Sequence, residues 1–176
     1  MTEPVVAILL GLLVVLAVTA IRASDLLPAV IALGGYGFVM ALTWAAIGAV
    51  DVAFTEAVVG AGATTVFMLA ALLRTSRRRS PAPERLRWVA LGLVLVVGLA
   101  IAVVERTLPP LGDRTAPPAV HVSPRYLEGA VPETGTPNVV TAVLADYRSY
   151  DTLMETVVIF TAGLGCWLLL RPSAPP

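Results

Sequence analysis

Lysine is missing altogether, and the chain holds one cysteine, Cys166, and one histidine, His121. A single cysteine closes no disulfide within the chain. Set in an apolar run beside Trp167, it reads as a buried packing residue rather than a redox group. One cysteine and one histidine do not make a zinc, haem or iron–sulfur site from protein ligands, so no metal and no cofactor are expected. His121 itself, in a polar stretch, reads as a plain surface residue. All twelve cations are arginine, a bias that speaks of genome base composition more than of mechanism. Charge of either sign is scarce: 14% of the 176 residues, against about 25% in an ordinary soluble protein. So few polar groups do not cover a water-facing surface. With 57% apolar residues and a mean hydropathy of +0.86, lipid is the solvent this composition fits. The formal net charge is zero, which offers nothing to nucleic acid. No catalytic triad, metal set or phosphate loop is present, so the chain does not read as an enzyme.

What is there is a series of long apolar runs. A helix needs about 20 mainly apolar residues to cross some 30 Å of hydrocarbon, and five segments qualify. They run from about Pro4 to Ile21, Leu26 to Val50, Asp51 to the residue before Arg74, Trp88 to Val104, and Thr152 to Leu170. The fold class is therefore all-α, a polytopic membrane protein. The first run lacks a basic flank and exceeds the usual length of a signal peptide's apolar stretch, so it is expected to be a retained helix.

The arginines orient the chain. Arg74, Arg77, Arg78, Arg79, Arg85 and Arg87 crowd the connection between the third and fourth runs, against the single acid Glu84. By the positive-inside rule this connection is cytoplasmic, with anionic lipid as a neighbour. Alternation then puts the N-terminus outside and the C-terminus inside, with eight arginines inside and four outside. The expected organisation is a three-helix module over 1–76, an Arg-rich cytoplasmic loop over 77–87, and a two-helix module over 88–176. Within the last, 105–137 is rich in Pro, Gly and Thr and is expected to be an extracytoplasmic loop lying on neighbouring subunits. Asn138 to Tyr150 reads as a short amphipathic helix turning near Ser149. Trp44, Trp88, Tyr36 and Phe38 read as packing residues or interface anchors.

Two clusters of acids could carry chemistry. Asp51 sits where the third span begins, as a helix cap or as the head of an ion path. Glu56 lies about 7 Å deeper at 1.5 Å per residue. An ionised carboxylate at that depth costs several kcal/mol unless it is paired, hydrated or protonated, which suits a group that takes up and releases protons. Gly60, Gly62 and Thr64, with Ala61, Ala63 and Thr65, follow. Small residues let helices approach closely in lipid and also ease a π-type bulge; close packing is the plainer reading. Gly34, Gly35 and Gly37 read the same way. The second cluster is Asp146, Asp151 and Glu155, with Tyr147 and Arg148 among them. Asp151 and Glu155 share a helix face at i, i+4 and repel when both are ionised; a cation or Arg148 would relieve them, and Asp151 could equally cap the fifth span.

At these residues the chain resembles a known family. Ser24-Asp25-Leu-Leu-Pro-Ala-Val-Ile-Ala-Leu-Gly34-Gly and Asp51-Val-Ala-Phe-Thr55-Glu56-Ala-Val-Val-Gly60-Ala-Gly resemble the small MbhD-type membrane protein of membrane-bound hydrogenases. The same module occurs in the C-terminal region of the largest membrane protein of Mrp-type sodium/proton antiporters. Thr136-Pro-Asn138 through Asp146-Tyr-Arg148-Ser-Tyr-Asp151-Thr-Leu-Met-Glu155 is similar to the MbhE-type module of those complexes. The resemblance implies a cofactor-free subunit beside antiporter-like and other small membrane subunits, related to respiratory complex I. It implies that Glu56 and Asp51 line a path for H+ or Na+, with Asp151 and Glu155 contributing at the MbhE-type module; Asp146, from the same acid cluster, is a further candidate for that path. The MbhD-type module looks like the counterpart of the complex I subunit whose third helix rotates and bulges during turnover. One departure is that the large Mrp protein carries an acid one turn later, where this chain has Gly60. The competing reading is a purely structural scaffold of a hydrogenase-like or respiratory complex. A self-contained transporter is disfavoured, because no inverted repeat is visible.

Overall fold

The computed structural model describes residues 3–76, 78, 83–110 and 112–170. Arg77, Arg79 and Arg171 fall outside the described residues. Five helices are long and apolar enough to cross a membrane: Glu3–Arg22, Leu26–Ala46, Val50–Leu72, Glu84–Glu105 and Ser149–Leu168. The all-α, five-span expectation holds. The chain divides into two compact units, 1–95 and 96–176.

In the first unit, α1 (Glu3–Arg22) packs along α2 (Leu26–Ala46), and α2 packs on the third span. The buried residues are mostly small: Ala20, Ala29, Ala32, Gly37, Ala41 and Ala53, with Leu13, Val30 and Thr43. In lipid no hydrophobic gain drives two helices together, so close approach through small side chains has to supply the attraction. Asp25 starts α2 as its N-cap, accepting the Leu27 N–H at 2.8 Å. Gly48, at φ +89°, makes the left-handed turn that ends α2. Backbone pairing between Asp25 and Arg78 ties the α1–α2 connection to the chain leaving the third span, at one end of this unit. The helix α5 (Glu84–Glu105) begins a turn earlier than its apolar run suggests, and all its residues are exposed within the chain.

The third span is not one α-helix. A short α3 (Val50–Thr55) widens into an eight-residue π segment, Glu56–Ala63, before α4 (Thr64–Leu72) resumes. The Thr64 N–H reaches back five residues to the Val59 carbonyl, the hydrogen bond that defines the wider turn. Just ahead of it, the Thr55 hydroxyl donates to the Val52 carbonyl at 2.9 Å, occupying a backbone acceptor where the winding changes.

The second unit corrects the expected loop. Within 105–137 the chain builds an 18-residue helix, α6 (Pro117–Thr134). Pro117 and Pro118 occupy its first turn, where a missing N–H costs nothing. Pro124 and Pro132 lie inside it, each removing one backbone bond. Gly135 closes α6 at φ +69°, donating its N–H to the Val131 carbonyl at 2.9 Å. The short helix expected from Asn138 is in two parts: α7 (Val139–Ala142), capped by Asn138 on the Thr141 N–H at 2.8 Å, and a second π segment, Val143–Tyr147. The chain breaks at Arg148 and continues as α8 (Ser149–Leu170). Cys166 is exposed rather than buried, as is nearly all of α8, whose apolar side chains point outward from the chain.

Candidate functional site

Glu56 is the first residue of the π segment and is half-buried. Its side chain lies over Gly60: a β-carbon there would stand 2.7 Å from the Glu56 Cδ and collide with Oε1. Gly60 is therefore the vacancy into which the carboxylate folds. On the neighbouring helix, a β-carbon on Gly37 would meet the Ala61 N at 2.9 Å and the Gly60 C at 3.0 Å. Backbone meets backbone at this point, and only glycine on α2 permits it. Gly34, three residues earlier, faces Thr65, whose Oγ1 would be 2.6 Å from a β-carbon. Gly62 stands against its own helix, 3.4 Å from the Ala57 carbonyl by the same measure. Thr64, expected at the packing face with Gly60 and Gly62, is exposed; its neighbour Thr65 makes the contact.

Asp51 lies in the first turn of α3, where Ala49 is the N-cap, so it is not the capping residue. Among the described residues, the Glu56 carboxylate makes no side-chain hydrogen bond or ion pair within the chain. The arrangement offers one acid on a widened turn, beside a backbone-to-backbone contact with α2, with its oxygens available to a proton, a cation or a neighbouring subunit.

In the second unit, Arg148 Nε donates to Asp151 Oδ2 at 2.6 Å, the partnership expected to relieve the acid pair. Both side chains are exposed. Glu155, one turn on, lines a shallow depression with Met154, Val158 and Ile159. Asp146 lies exposed in the second π segment. No group of three potential metal ligands occurs among the described residues.

One constellation is not visible from residue spacing alone. On α6, Arg125 donates to Glu133 through both terminal guanidinium nitrogens, at 2.5 and 2.9 Å. The Tyr147 hydroxyl donates to the other side of this assembly, reaching Glu133 Oε2 at 2.7 Å. Arg125 also stands over the Tyr147 ring at 5.6 Å, and the Tyr126 ring lies 5.3 Å from it. Gly129 leaves the room: a β-carbon there would be 2.5 Å from Arg125 Nη1 and 2.9 Å from the Tyr147 hydroxyl. The spacing Arg125, Gly129, Glu133 is i, i+4, i+8, one face of a helix, and becomes a signal once the segment is known to be helical.

Hydrogen bonds from Arg125 and Tyr147 hold the Glu133 carboxyl below the usual carboxylate range, while the bond to Glu133 pushes the Tyr147 phenol up. A lowered carboxyl favours the contact above its ordinary titration and loses it as pH falls through the lowered value. A raised phenol favours it until pH climbs through the raised value. The α6 contact should accordingly persist across the neutral range, loosen on acidification as pH falls through the lowered Glu133 carboxyl, and loosen again in strong alkali as pH climbs through the raised Tyr147 phenol. Amide exchange across 139–148, corrected for intrinsic rates, reads this; protection that disappears between neutral pH and pH 5 contradicts it.

An all-α chain with five candidate spans, an acid on a π turn and a second acid-bearing joint defines a class: a polytopic membrane protein built from two small modules. The MbhD family, the D component of MBH, matches residues 11–77, and the MbhE family, the E component of MBH, matches residues 84–176. The chain belongs to this family, as a fused MbhD- and MbhE-type protein. It is 31% identical over 168 residues to a Staphylococcus aureus (strain MRSA252) protein named "Putative antiporter subunit mnhA2", covering 96% of this chain and 20% of that protein. The same-named protein of S. aureus strain JH9 is 30% identical, covering 90% of this chain and 19% of its own. Among solved structures, the Mrp complex from Dietzia sp. DQ12-45-1b contains a chain 34% identical to this one, with a TM-score of 0.78. That match covers 96% of this chain and 19% of the Dietzia chain. The chain thus spans about a fifth of the length of the relatives it matches.

Proposed function

We propose that this chain is an ion-translocating membrane component of a multi-subunit cation/proton antiporter related to complex I, in which Glu56 passes protons and the partner subunits hydrate or pair it. The observation that carries the proposal is the position of Glu56: a carboxylate within an apolar span, on a π turn, folded over Gly60 where the backbone meets Gly37 of α2. An acid without a charge-passing duty is an expensive occupant of such a place. The antiporter names of the relatives and the Mrp complex that contains a similar chain support the same reading.

In this reading Asp51 lies at the head of the first module's path, and Asp146, Asp151 and Glu155 serve the second. The ions are H+ and Na+, the site is the cytoplasmic membrane, and the Arg74–Arg87 connection faces the cytoplasm. The two modules divide at that connection. Catalysis of covalent chemistry is not part of the function.

Removing this chain from cells that make the whole complex should abolish sodium-driven proton movement in everted vesicles, and restoring it should restore exchange. Exchange that continues without the chain would defeat the proposal. So would recovery of the tagged chain alone, stable and monodisperse, from mild detergent.

A further inference from the structure

The joint between the second π segment and α8 is held by a closed set of bonds. The Arg148 N–H reaches the Val143 carbonyl at 2.8 Å, and the Thr152 hydroxyl donates to the Leu144 carbonyl at 2.8 Å across the break. Arg148 then pairs with Asp151 in the first turn of the fifth span. Tyr147 is the residue immediately before the break and the one that α6 grips. Its backbone is continuous with that of Arg148, so a hold on Tyr147 bears directly on where the chain breaks.

We propose that Arg125, Glu133 and Tyr147 form a latch: α6 fixes the last residue of the π segment and thereby positions the Arg148–Asp151 pair at the head of the fifth span, setting how readily a cation reaches Asp151 and Glu155. These are positioning residues, since they act on the ion only through Arg148 and Asp151. This inference rests on the transport reading and deepens it. Three features single the latch out from ordinary surface pairing. Glu133 receives three hydrogen bonds from two partners. A glycine, Gly129, is placed so that the guanidinium and the phenol can both reach it. The tyrosine is also held by its ring, between Arg125 and Tyr126. A side chain fixed at both its hydroxyl and its face has little freedom left to transmit anything but position.

The test uses the assembled complex in right-side-out vesicles, which present the extracytoplasmic joint to added sodium as the probe ion. Tyr147→Phe and Glu133→Gln should each raise the apparent KM for sodium by about 3- to 10-fold and leave the maximal rate within about two-fold. The double variant should be no worse than Glu133→Gln alone, because the Tyr147 hydroxyl acts on α6 only through Glu133. In an Asp151→Asn background neither should add anything. Additive losses, or a fall in the amount of complex with KM unchanged, would overturn the latch in favour of plain structural support. A reporter independent of transport is Ser149→Cys in a Cys166→Ala chain. In right-side-out vesicles, which open the extracytoplasmic face to the medium, its reaction with a membrane-impermeant maleimide should quicken about five-fold in the Tyr147→Phe variant, as the joint opens more often. Unchanged labelling overturns the latch whatever transport does. Faster labelling with an unaltered KM for sodium overturns its hold on the ion route. Failure of the transport reading itself shows elsewhere, as full exchange by a Glu56→Gln complex.

Discussion

Glu56→Gln is expected to cut sodium/proton exchange at least about tenfold, equivalent to some 1.4 kcal/mol or more on the limiting barrier, while the complex still assembles. The amide matches the carboxylate in shape, so it can lie over Gly60 as Glu56 does, and the packing against α2 should stand. What it loses is the ability to bind and release a proton. Glu56→Asp keeps that ability but withdraws the carboxylate by one methylene from its place over Gly60, and should retain an intermediate rate. The measurement is sodium-induced collapse of a pH gradient in everted vesicles, normalised to the amount of assembled complex. Exchange within two-fold of wild type in the glutamine variant would leave the chain a scaffold.

Gly37→Leu should destabilise the first unit by about 1–3 kcal/mol, the range for forcing bulk into a packed contact. The obstacle at Gly37 is main chain, Ala61 N and Gly60 C, which no rotamer change moves aside. The helices must separate, and the turn carrying Glu56 goes with them, so exchange should fall along with thermal stability. Gly34 offers a contrast. Its neighbour is the Thr65 side chain, which can swing away, so Gly34→Ala should be milder. Gly11, with nothing within 4 Å of its would-be β-carbon, is the control, and Gly11→Leu should be tolerated. Thermal unfolding of the detergent-purified complex ranks the three; equal losses at Gly37 and Gly11 would contradict the packing argument.

The spans were legible because length and apolarity alone decide whether a helix can cross lipid. The acid at 56 stood out because ionisable groups inside such runs are costly. Beyond that the sequence was less open. Gly60, Gly62 and Thr64 gave both packing and a bulge as readings; the structure has an eight-residue π run that takes in the two glycines, and Gly60 lies beside Gly37 of α2, while Gly62 stands against its own helix and Thr64 is exposed. A widened turn shifts the phase of every residue after it, which is why Thr65 rather than Thr64 faces α2. The helix α6 was hidden by its composition: Pro124 and Pro132 argue against a helix locally, and its scattered apolar residues make no span. With α6 unread, Arg125, Gly129 and Glu133 had no face to share, and the grip on Tyr147 was invisible. Cys166 was misplaced for a different reason. Apolarity predicts removal from water, and in a membrane chain this does not mean enclosure within the chain's own fold.

The same distinction governs α5. Every residue from Glu84 to Glu105 is open to its surroundings, while Trp88, whose indole N–H points to Glu84 Oε1 at 3.4 Å, marks its charged end. Among the described residues no side chain of this span is buried, so its apolar surface is left for lipid or for a neighbour to cover. A helix of this kind takes its tilt and rotation from what packs beside it, and the rim residues fix its depth.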